Sequence, residues 1–279
     1  MKVTGVLERI YAAWKSAMAS QDLNTWAKYT AKSRQMAVRN SIVSQKRDWP
    51  RALFSLALTP PEIEGLRLAG SEILGDQARL VYDGQVDFRL GDPRTPPAAA
   101  LVLDFVREEG DWRFYGGRYY NLQTNPALAR QLTAGEIAQV SGPQAALTGR
   151  APPMPKPCDV PDYAGQIRVA SYGYATTVEL GDFHRDTIVG QATNEVVIGG
   201  LRRGTNPLRV STQPLNEVGP EDRSLEISVF AITPHLRTPA VRVFHFQPNN
   251  PVGTHFELSV NVGAATLREG NEIELLPGK

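Results

Sequence analysis

Apolar residues in the first fifty positions recur at spacings of three and four, the period of an α-helix that buries one face. The clearest of these faces comprises Leu7, Ile10, Tyr11, Trp14 and Met18. Asp22 is predicted to cap a second, shorter helix, because its carboxylate can accept hydrogen bonds from the free amides of the first turn. A third helical pattern follows through residues 36–43.

After Pro60 and Pro61 the period changes to two, which indicates strands with one face buried. The predicted strands are 64–74, 77–90, 98–108 and 111–121. They pair as two hairpins with turns at Gly75 and Gly110, and a short helix is expected from Pro126 to Gln131. Helices followed by antiparallel strands are typical of an α+β domain, with helices packed on a curved sheet.

The rest of the chain is predicted to be an all-β sandwich, because strand patterns recur there between Gly, Pro and Asn. The expected strands are 165–171, 174–180, 184–190, 194–199, 206–212, 224–232, 240–247, 254–262 and 271–276. Six prolines lie in residues 141–161, which favours a linker. We therefore predict an α+β domain at 1–140, a linker at 141–161 that includes Cys158, and a β-sandwich domain at 162–279.

Composition excludes several kinds of partner and site. The chain has 30 basic and 29 acidic residues and a formal net charge of +1, which argues against nucleic-acid binding. No apolar run reaches the ~18 residues of a membrane span. Cys158 is the single cysteine, so an intramolecular disulfide is excluded. Location stays open. An exported or cell-envelope protein is favoured if Met1 replaces a removed leader, and a cytoplasmic one otherwise.

The segment REEGDWRFYGGRYY at 107–120 follows the predicted helices and the first hairpin. In this order it resembles a late hairpin of the nuclear-transport-factor-like superfamily, also called the SnoaL-like or cystatin-like cone fold. The resemblance implies that Gly110 makes the turn and that Trp112 and Phe114 point into the cone. This superfamily contains enzymes, binding modules and scaffolds, so the resemblance implies a fold and no particular activity.

The second half carries TTVELGDFHRDTIVG at 176–190 and GGLRRGTNPLRVST at 199–212. These segments are loosely similar to galactose-binding-type jelly-roll domains, in which a strand and turn precede a Leu-x-x-Gly-x-Asn element. Leu201, Gly204, Asn206 and Leu208 fit that element. We expect Gly204 to take a positive φ and Asn206 to hydrogen-bond the turn backbone. The element is structural in such folds and does not imply sugar binding.

Strand alternation and the helical face together predict an apolar interior in the first domain. Its candidate ligand-binding residues are Trp14, Tyr82, Phe105, Trp112, Arg118 and Tyr119. Two interpretations stay open, a pocket for a small hydrophobic ligand and a filled core. The first 150 residues contain no histidine, so the His–Asp pair that cone-fold enzymes resembling this chain use cannot form.

Catalytic and metal-binding alternatives rest on carboxylates. A bulge at Gly84 would turn Asp87 inward beside Tyr82. In the enzymatic alternative Asp87 or Asp104 is the acid–base group, and Tyr82 is the donor that orients the substrate. Asp182, His184 and Asp186 alternate along one predicted strand and are candidate metal ligands, although neighbours on one strand face lie roughly 7 Å apart. Solvated side chains on an edge strand explain the same pattern.

Two further histidines lie on predicted strands of the second half. If those strands pair, His245 and His255 approach each other. The simpler interpretation is a polar strand face beside an aromatic inner face.

The sequence favours a non-catalytic binding or assembly protein without a cofactor. Its cone domain would offer an apolar pocket or a dimer surface, and its β-sandwich would recognise a protein or carbohydrate partner. The expected dimer surface is the outer face of the first sheet, which carries Val81, Ala100, Val102, Val106 and Tyr115 among charges. The alternative is a cone-fold enzyme of isomerase, dehydratase or hydrolase type acting on a small hydrophobic substrate.

Overall fold

The computed structural model describes residues 3–55, 60–87, 96–140, 146–216, 218–232, 240–249 and 252–263. Within these ranges it contains four α-helices and three four-stranded antiparallel sheets, a mixed and β-rich fold. The chain divides into two compact units. Met1–Ala37 and Pro50–Pro155 form the first unit, and Val38–Trp49 with Lys156–Lys279 form the second.

The first unit begins with helices and continues as a four-stranded meander. Its elements are α1 Val3–Ser20, α2 Leu23–Tyr29, the start of α3 Lys32–Ser44, β1 Arg67–Leu74, β2 Gln77–Gln85, β3 Ala98–Glu108, β4 Asp111–Asn121 and α4 Pro126–Thr133. Short 3-10 helices occur at Arg51–Phe54 and Ile137–Val140. The strands lie in the order β1-β2-β3-β4.

Local chemistry explains the ends of these elements. Asp22 caps α2, since its carboxylate accepts hydrogen bonds from the amides of Asn24 and Thr25 at 3.0 and 3.1 Å. The second hairpin turns at Glu109 and Gly110 with φ values of 56° and 91°, the left-handed conformation that a tight two-residue turn needs. The cap and the turn were both predicted from the sequence and are confirmed.

The first sheet buries a different cluster on each side. The α1-side cluster is Leu7, Ile10, Tyr11, Ala78, Leu80, Tyr82, Leu101, Leu103, Phe105 and Phe114, with Trp14, Trp112 and neighbouring side chains packed against it. The α4-side cluster is Val81, Ala100, Val102, Leu128, Leu132 and Val140. Successive strand residues point to opposite faces, so the alternating sequence supplies both clusters.

One irregularity in this sheet shifts the register between β3 and β4. Asp104 pairs with Gly116, but the next residue, Phe105, pairs with Phe114, so Tyr115 is an extra residue on β4. An extra residue of this kind is a β-bulge, and it reverses the facing of the β4 residues that follow it, so that Gly116 and Arg118 lie on the same side as Asp104.

The second unit contains β5 Ala164–Tyr172, β6 Tyr174–Leu180, β7 His184–Val189, β8 Ala192–Val196, β9 Gly204–Pro214, β10 Ser224–Ile232, β11 Val241–Phe246 and β12 His255–Val262. Two sheets form, in the orders β11-β10-β5-β8 and β12-β9-β6-β7. One hydrophobic core takes residues from both sheets, among them Ile167, Ile227, Val178 and Leu208. This arrangement is compatible with a β-sandwich.

The turn before β9 has the geometry that the sequence predicted. Gly204 has a φ of 91°. Asn206 is 5% exposed, and its amide accepts from the Arg202 backbone N–H at 2.8 Å and donates to the Arg202 carbonyl at 2.9 Å. This side chain therefore holds the turn closed.

Cys158 is buried, although the sequence placed it in a linker. It is 1% exposed, and its backbone N–H donates to Asn40 Oδ1 at 3.1 Å. Ser44 Oγ lies 3.6 Å from its sulfur and also accepts from the Gly199 N–H at 2.7 Å. The end of α3 is thus tied by buried polar contacts to residues more than a hundred positions later, within the second unit.

Two parts of the predicted topology lie outside the described residues, the strand at 271–276 and residues 88–90 of the strand at 77–90. Among the helices that are described, none combines the length and the apolar character needed to cross a membrane.

Candidate functional site

The space between α1 and the first sheet is packed with aromatic rings. Tyr11 and Trp14 of α1 lie against Phe114 of β4, with ring centroids 5.4 and 4.4 Å from it. Phe105 of β3 lies 5.7 Å from the same ring and is 1% exposed. Rings at these separations are in direct contact, so the protein's own side chains occupy the predicted hydrophobic interior.

Tyr82 of β2 is the polar group of this interior, and α1 supplies its partner. The Tyr82 hydroxyl donates to Glu8 Oε1 at 2.8 Å, while the residue itself is 3% exposed. Glu8 is half-buried. A buried hydroxyl needs such an acceptor, because an unpaired one carries its full desolvation cost.

Tyr11 has a similar arrangement one helical turn further along α1. Its hydroxyl donates to the carbonyl of Pro61 at 2.8 Å. Burial, and after it the negative charge of Glu64, raises the pKa of Tyr11 above its usual value. Burial also raises the pKa of Tyr82, followed by its hydrogen bond to Glu8 and the charges of Glu8 and Glu64. Both hydroxyls therefore stay protonated near neutral pH and act as hydrogen-bond donors.

Asp87 does not join Tyr82. It is exposed, whereas Val86 beside it is 1% exposed. The pairing of β2 with β3 runs through Gly84 and Ala99 without a shift. The bulge expected at Gly84 is therefore absent, and the register shifts in this sheet lie on β4 at Tyr115 and on β1 between Leu68 and Gly70. A continuous strand keeps the alternation that turns Asp87 outward.

Asp104 lies on the α4 side of the sheet, between two arginines. Arg79 Nε donates to Asp104 Oδ1 at 2.6 Å, and Arg118 Nη2 donates to Asp104 Oδ2 at 2.8 Å. Its neighbours Leu103 and Phe105 belong to the α1-side cluster, so Asp104 points away from Tyr82. Neither predicted carboxylate can exchange a proton with Tyr82 from these positions.

The six predicted ligand-binding residues separate into two groups. Trp14, Tyr82, Phe105 and Trp112 meet in or against the α1-side cluster. Arg118 lies on the opposite side of the sheet with Asp104, and Tyr119 is 56% exposed. The bulge at Tyr115 follows Phe114 along β4, which explains why the sequence did not fix the facing of these two residues.

The outer face that was expected to form a dimer is covered by the chain itself. Val81, Ala100 and Val102 are fully buried there against Leu128 and Leu132 of α4. The apolar patch that motivated a homodimer through this sheet therefore has a partner within the first unit.

The three candidate metal ligands differ in their surroundings. Asp182 is exposed, Asp186 is half-buried, and His184 is 4% exposed. His184 Nδ1 accepts the Ile198 N–H at 3.3 Å, which assigns the proton to Nε2. Burial lowers the pKa of His184, although the charge of Asp186 opposes this effect. Within the described ranges, no three His, Cys, Asp or Glu side chains are grouped so that they could hold a metal ion.

His245 and His255 lie in different sheets, so the strands that carry them do not pair with each other. His255 Nδ1 lies 3.2 Å from Ser211 Oγ, and His255 Nε2 lies 3.3 Å from Glu257 Oε1. Serine, imidazole and carboxylate are the groups of nucleophilic catalysis. Here all three side chains lie on an exposed strand face, where water solvates them. These contacts are therefore those of a polar, solvent-exposed strand face.

Sequence reasoning missed Glu8, which accepts from Tyr82 across 74 positions. One signal was present. Glu8 lies between the buried Leu7 and Tyr11 on a helix whose apolar face was already defined, and a carboxylate at such a boundary can reach a polar group on the facing sheet. The position of Tyr82 opposite α1 requires the tertiary fold and could not be inferred from spacing.

Comparison of the chain with protein-family models, with curated proteins and with solved structures finds no match. The geometry described above therefore carries the functional conclusions. It defines a β-rich protein of mixed α+β structure with a ring-filled interior in its first unit and a shared aliphatic core between two sheets in its second.

Proposed function

We propose that the protein is a non-catalytic binding or assembly protein that meets its partners at its surface. The observation that carries this proposal is the filled space between α1 and the first sheet. Tyr11, Trp14, Phe105 and Phe114 are in ring contact there. A site for a small hydrophobic substrate needs a concave space with converging polar groups, and here side chains take that space.

The polar groups of the interior support the same proposal. Tyr82 is the donor that a bound ligand would use, and Glu8 already accepts its hydrogen bond. Asp87 is exposed and Asp104 bonds arginines on the far side of the sheet. In this proposal the first unit is a cone-type scaffold, and the second is a β-sandwich that recognises a protein or carbohydrate partner.

The test is a titration of the full chain with 1-anilinonaphthalene-8-sulfonate, an apolar dye that fluoresces in hydrophobic sites. We expect no saturable rise in fluorescence with the wild-type protein, because contacting rings occupy the space between α1 and the first sheet. The matched variants are Tyr82→Phe and Glu8→Gln, which keep the side-chain volume and remove one polar group each. A saturable response in the wild type that either variant weakens would overturn the proposal.

The enzyme alternative has one observation in its favour, the 2.8 Å hydrogen bond between Tyr82 and Glu8. A cone-fold enzyme acting on a small hydrophobic substrate would use Glu8 as its acid–base group, in place of Asp87 or Asp104, and Tyr82 to orient the substrate. The dye titration separates the two functions, since an enzyme requires the interior to admit a ligand and a surface-binding protein does not.

A further inference from the structure

Arg118 lies on the α4 side of the first sheet, and only part of its guanidinium takes part in hydrogen bonds. One carboxylate oxygen of Asp104 accepts a hydrogen bond from Arg79 and the other accepts one from Arg118. Arg118 therefore donates a single hydrogen bond to Asp104, from Nη2 at 2.8 Å. Among the described residues, Arg118 Nε is buried and has no hydrogen-bond partner. The side chain remains 36% exposed. A guanidinium has five N–H donors in a planar fork, so donors remain on Nη1 and Nη2 beyond the one that Asp104 accepts.

The strand position beside this guanidinium is open. Gly116 pairs directly with Asp104 across β3 and β4, two residues before Arg118 on the same strand. No heavy atom of the described chain lies within 4 Å of the place where a Cβ on Gly116 would be. The backbone of Gly116 is not in the left-handed region, so conformation does not require glycine here. A glycine inside a strand often marks a place where a ligand approaches the backbone closely.

We propose that Arg118 and the open position at Gly116 form a binding site for a carboxylate group. The planar fork of an arginine matches the two oxygens of a carboxylate, and hydrogen bonds between charged partners are stronger than neutral ones. Phosphate, which an arginine can also bind, is the competing anion, and the assignment of a carboxylate requires phosphate to bind more weakly.

This site is separate from the interior that the proposed function concerns. Arg118 bonds Asp104 on the α4 side, whereas Tyr82 and Glu8 meet on the α1 side. The carboxylate could belong to a small molecule or to the side chain of a partner, and in both cases the chemistry at Arg118 is the same. Failure of either proposal leaves the other standing.

The experiment is an NMR titration of the full chain with sodium propionate, read at the Gly116 amide and the Arg118 Nε–H. Sodium chloride at equal ionic strength is the reference for salt effects. We expect both signals to shift and to saturate at millimolar propionate, because one charge-assisted pair gives modest affinity. Inorganic phosphate is expected to bind more weakly than propionate at pH 7.

Two variants remove the site in different ways. Arg118→Met removes the donors, and Gly116→Val fills the open position with a residue that suits a strand. We expect each to raise the dissociation constant for propionate by at least about tenfold. Arg107→Met is the matched control, because Arg107 on β3 is 45% exposed and also bonds one aspartate, Asp76, at 3.0 Å. Its affinity for propionate should equal that of the wild type.

Three results would overturn the assignment. The first is a propionate affinity that Arg118→Met leaves unchanged. The second is an equal loss of affinity in Arg107→Met, which would indicate attraction to positive charge in general. The third is tighter binding of phosphate than of propionate. If Gly116→Val does not fold, the Arg118→Met titration still decides, since Arg118 is half-exposed and its loss leaves the strand pairing in place.

Discussion

Both sides of the first sheet are buried, but the side chains that cover them differ in chemistry. The α1 side buries aromatic rings, and its buried polar groups are the hydroxyls of Tyr11 and Tyr82, which act as donors. The α4 side buries aliphatic residues and places ionised groups among them, with Asp104 between Arg79 and Arg118. Strand alternation separates these chemistries, since neighbouring residues of β3 face opposite sides.

This difference bears on the proposed function. On the α1 side the rings of Tyr11, Trp14, Phe105 and Phe114 are in contact, and the hydroxyls of Tyr11 and Tyr82 have internal acceptors. On the α4 side Arg118 has more N–H donors than the one Asp104 oxygen that it contacts, so it keeps hydrogen-bonding capacity. The proposed surface binding relies on this difference between the two sides.

The largest effect is expected from Phe105→Ala, which removes a ring that is 1% exposed and contacts Phe114. Loss of a buried phenylalanine leaves a cavity and lowers the free energy of unfolding by about 3–5 kcal/mol. Urea denaturation measures this change. Leu74→Ala is the control, because Leu74 on β1 of the same sheet is 47% exposed. A loss below about 1 kcal/mol in Phe105→Ala would contradict tight ring packing.

A somewhat smaller effect is expected from Asp104→Asn, which removes the negative charge that Arg79 Nε contacts at 2.6 Å while Arg79 is 3% exposed. Breaking a buried ion pair from one side lowers the free energy of unfolding by about 3 kcal/mol. The control is Asp76→Asn, whose partner Arg107 is 45% exposed, so its loss should stay below about 1 kcal/mol. If both variants lost the same free energy of unfolding, the ion pair of Asp104 would be as exposed to water as that of Asp76 at the hairpin turn, contrary to this account.

The smallest effect is expected from Tyr82→Phe, which removes one hydroxyl and should lower the free energy of unfolding by about 1 kcal/mol. This stability also depends on pH. Because the folded state raises the pKa of Tyr82, the contribution is complete below the ordinary tyrosine pKa of about 10 and is lost as pH rises above it.

Urea denaturation between neutral and strongly alkaline pH checks this sign. The wild type should lose stability at alkaline pH more steeply than Tyr82→Phe does, since the variant no longer carries that proton. Parallel curves for the two proteins would mean that Tyr82 titrates equally in the folded and unfolded states.

The sequence predicted local features well, because they depend on neighbouring residues. The face of α1, the Asp22 cap, the turn at Gly110 and the hydrogen bonds of Asn206 all follow from spacing and side-chain chemistry. Each of these features involves contacts within a few positions, where the pattern itself contains the information.

Features that depend on distant residues were not predictable. The sequence predicted a bulge at Gly84, but the pairing there is regular and a bulge lies at Tyr115 on β4. Either position is consistent with the alternation of apolar and polar residues, and only the pairing of the strands decides between them. Glu8 meets Tyr82 across 74 positions. The assignment of Val38–Trp49 to the second unit, with Cys158 buried against Asn40 and Ser44, likewise requires the fold.

The most direct test of the central claim, that rings fill the interior of the first unit, is benzene binding measured as a change in the thermal midpoint. Benzene occupies dry apolar cavities and has no polar group to find a site elsewhere. We predict that benzene leaves the midpoint of the wild type unchanged and raises that of Phe105→Ala, because the variant loses the ring that packs against Phe114 and gains a cavity there. A raised midpoint in the wild type would contradict the claim.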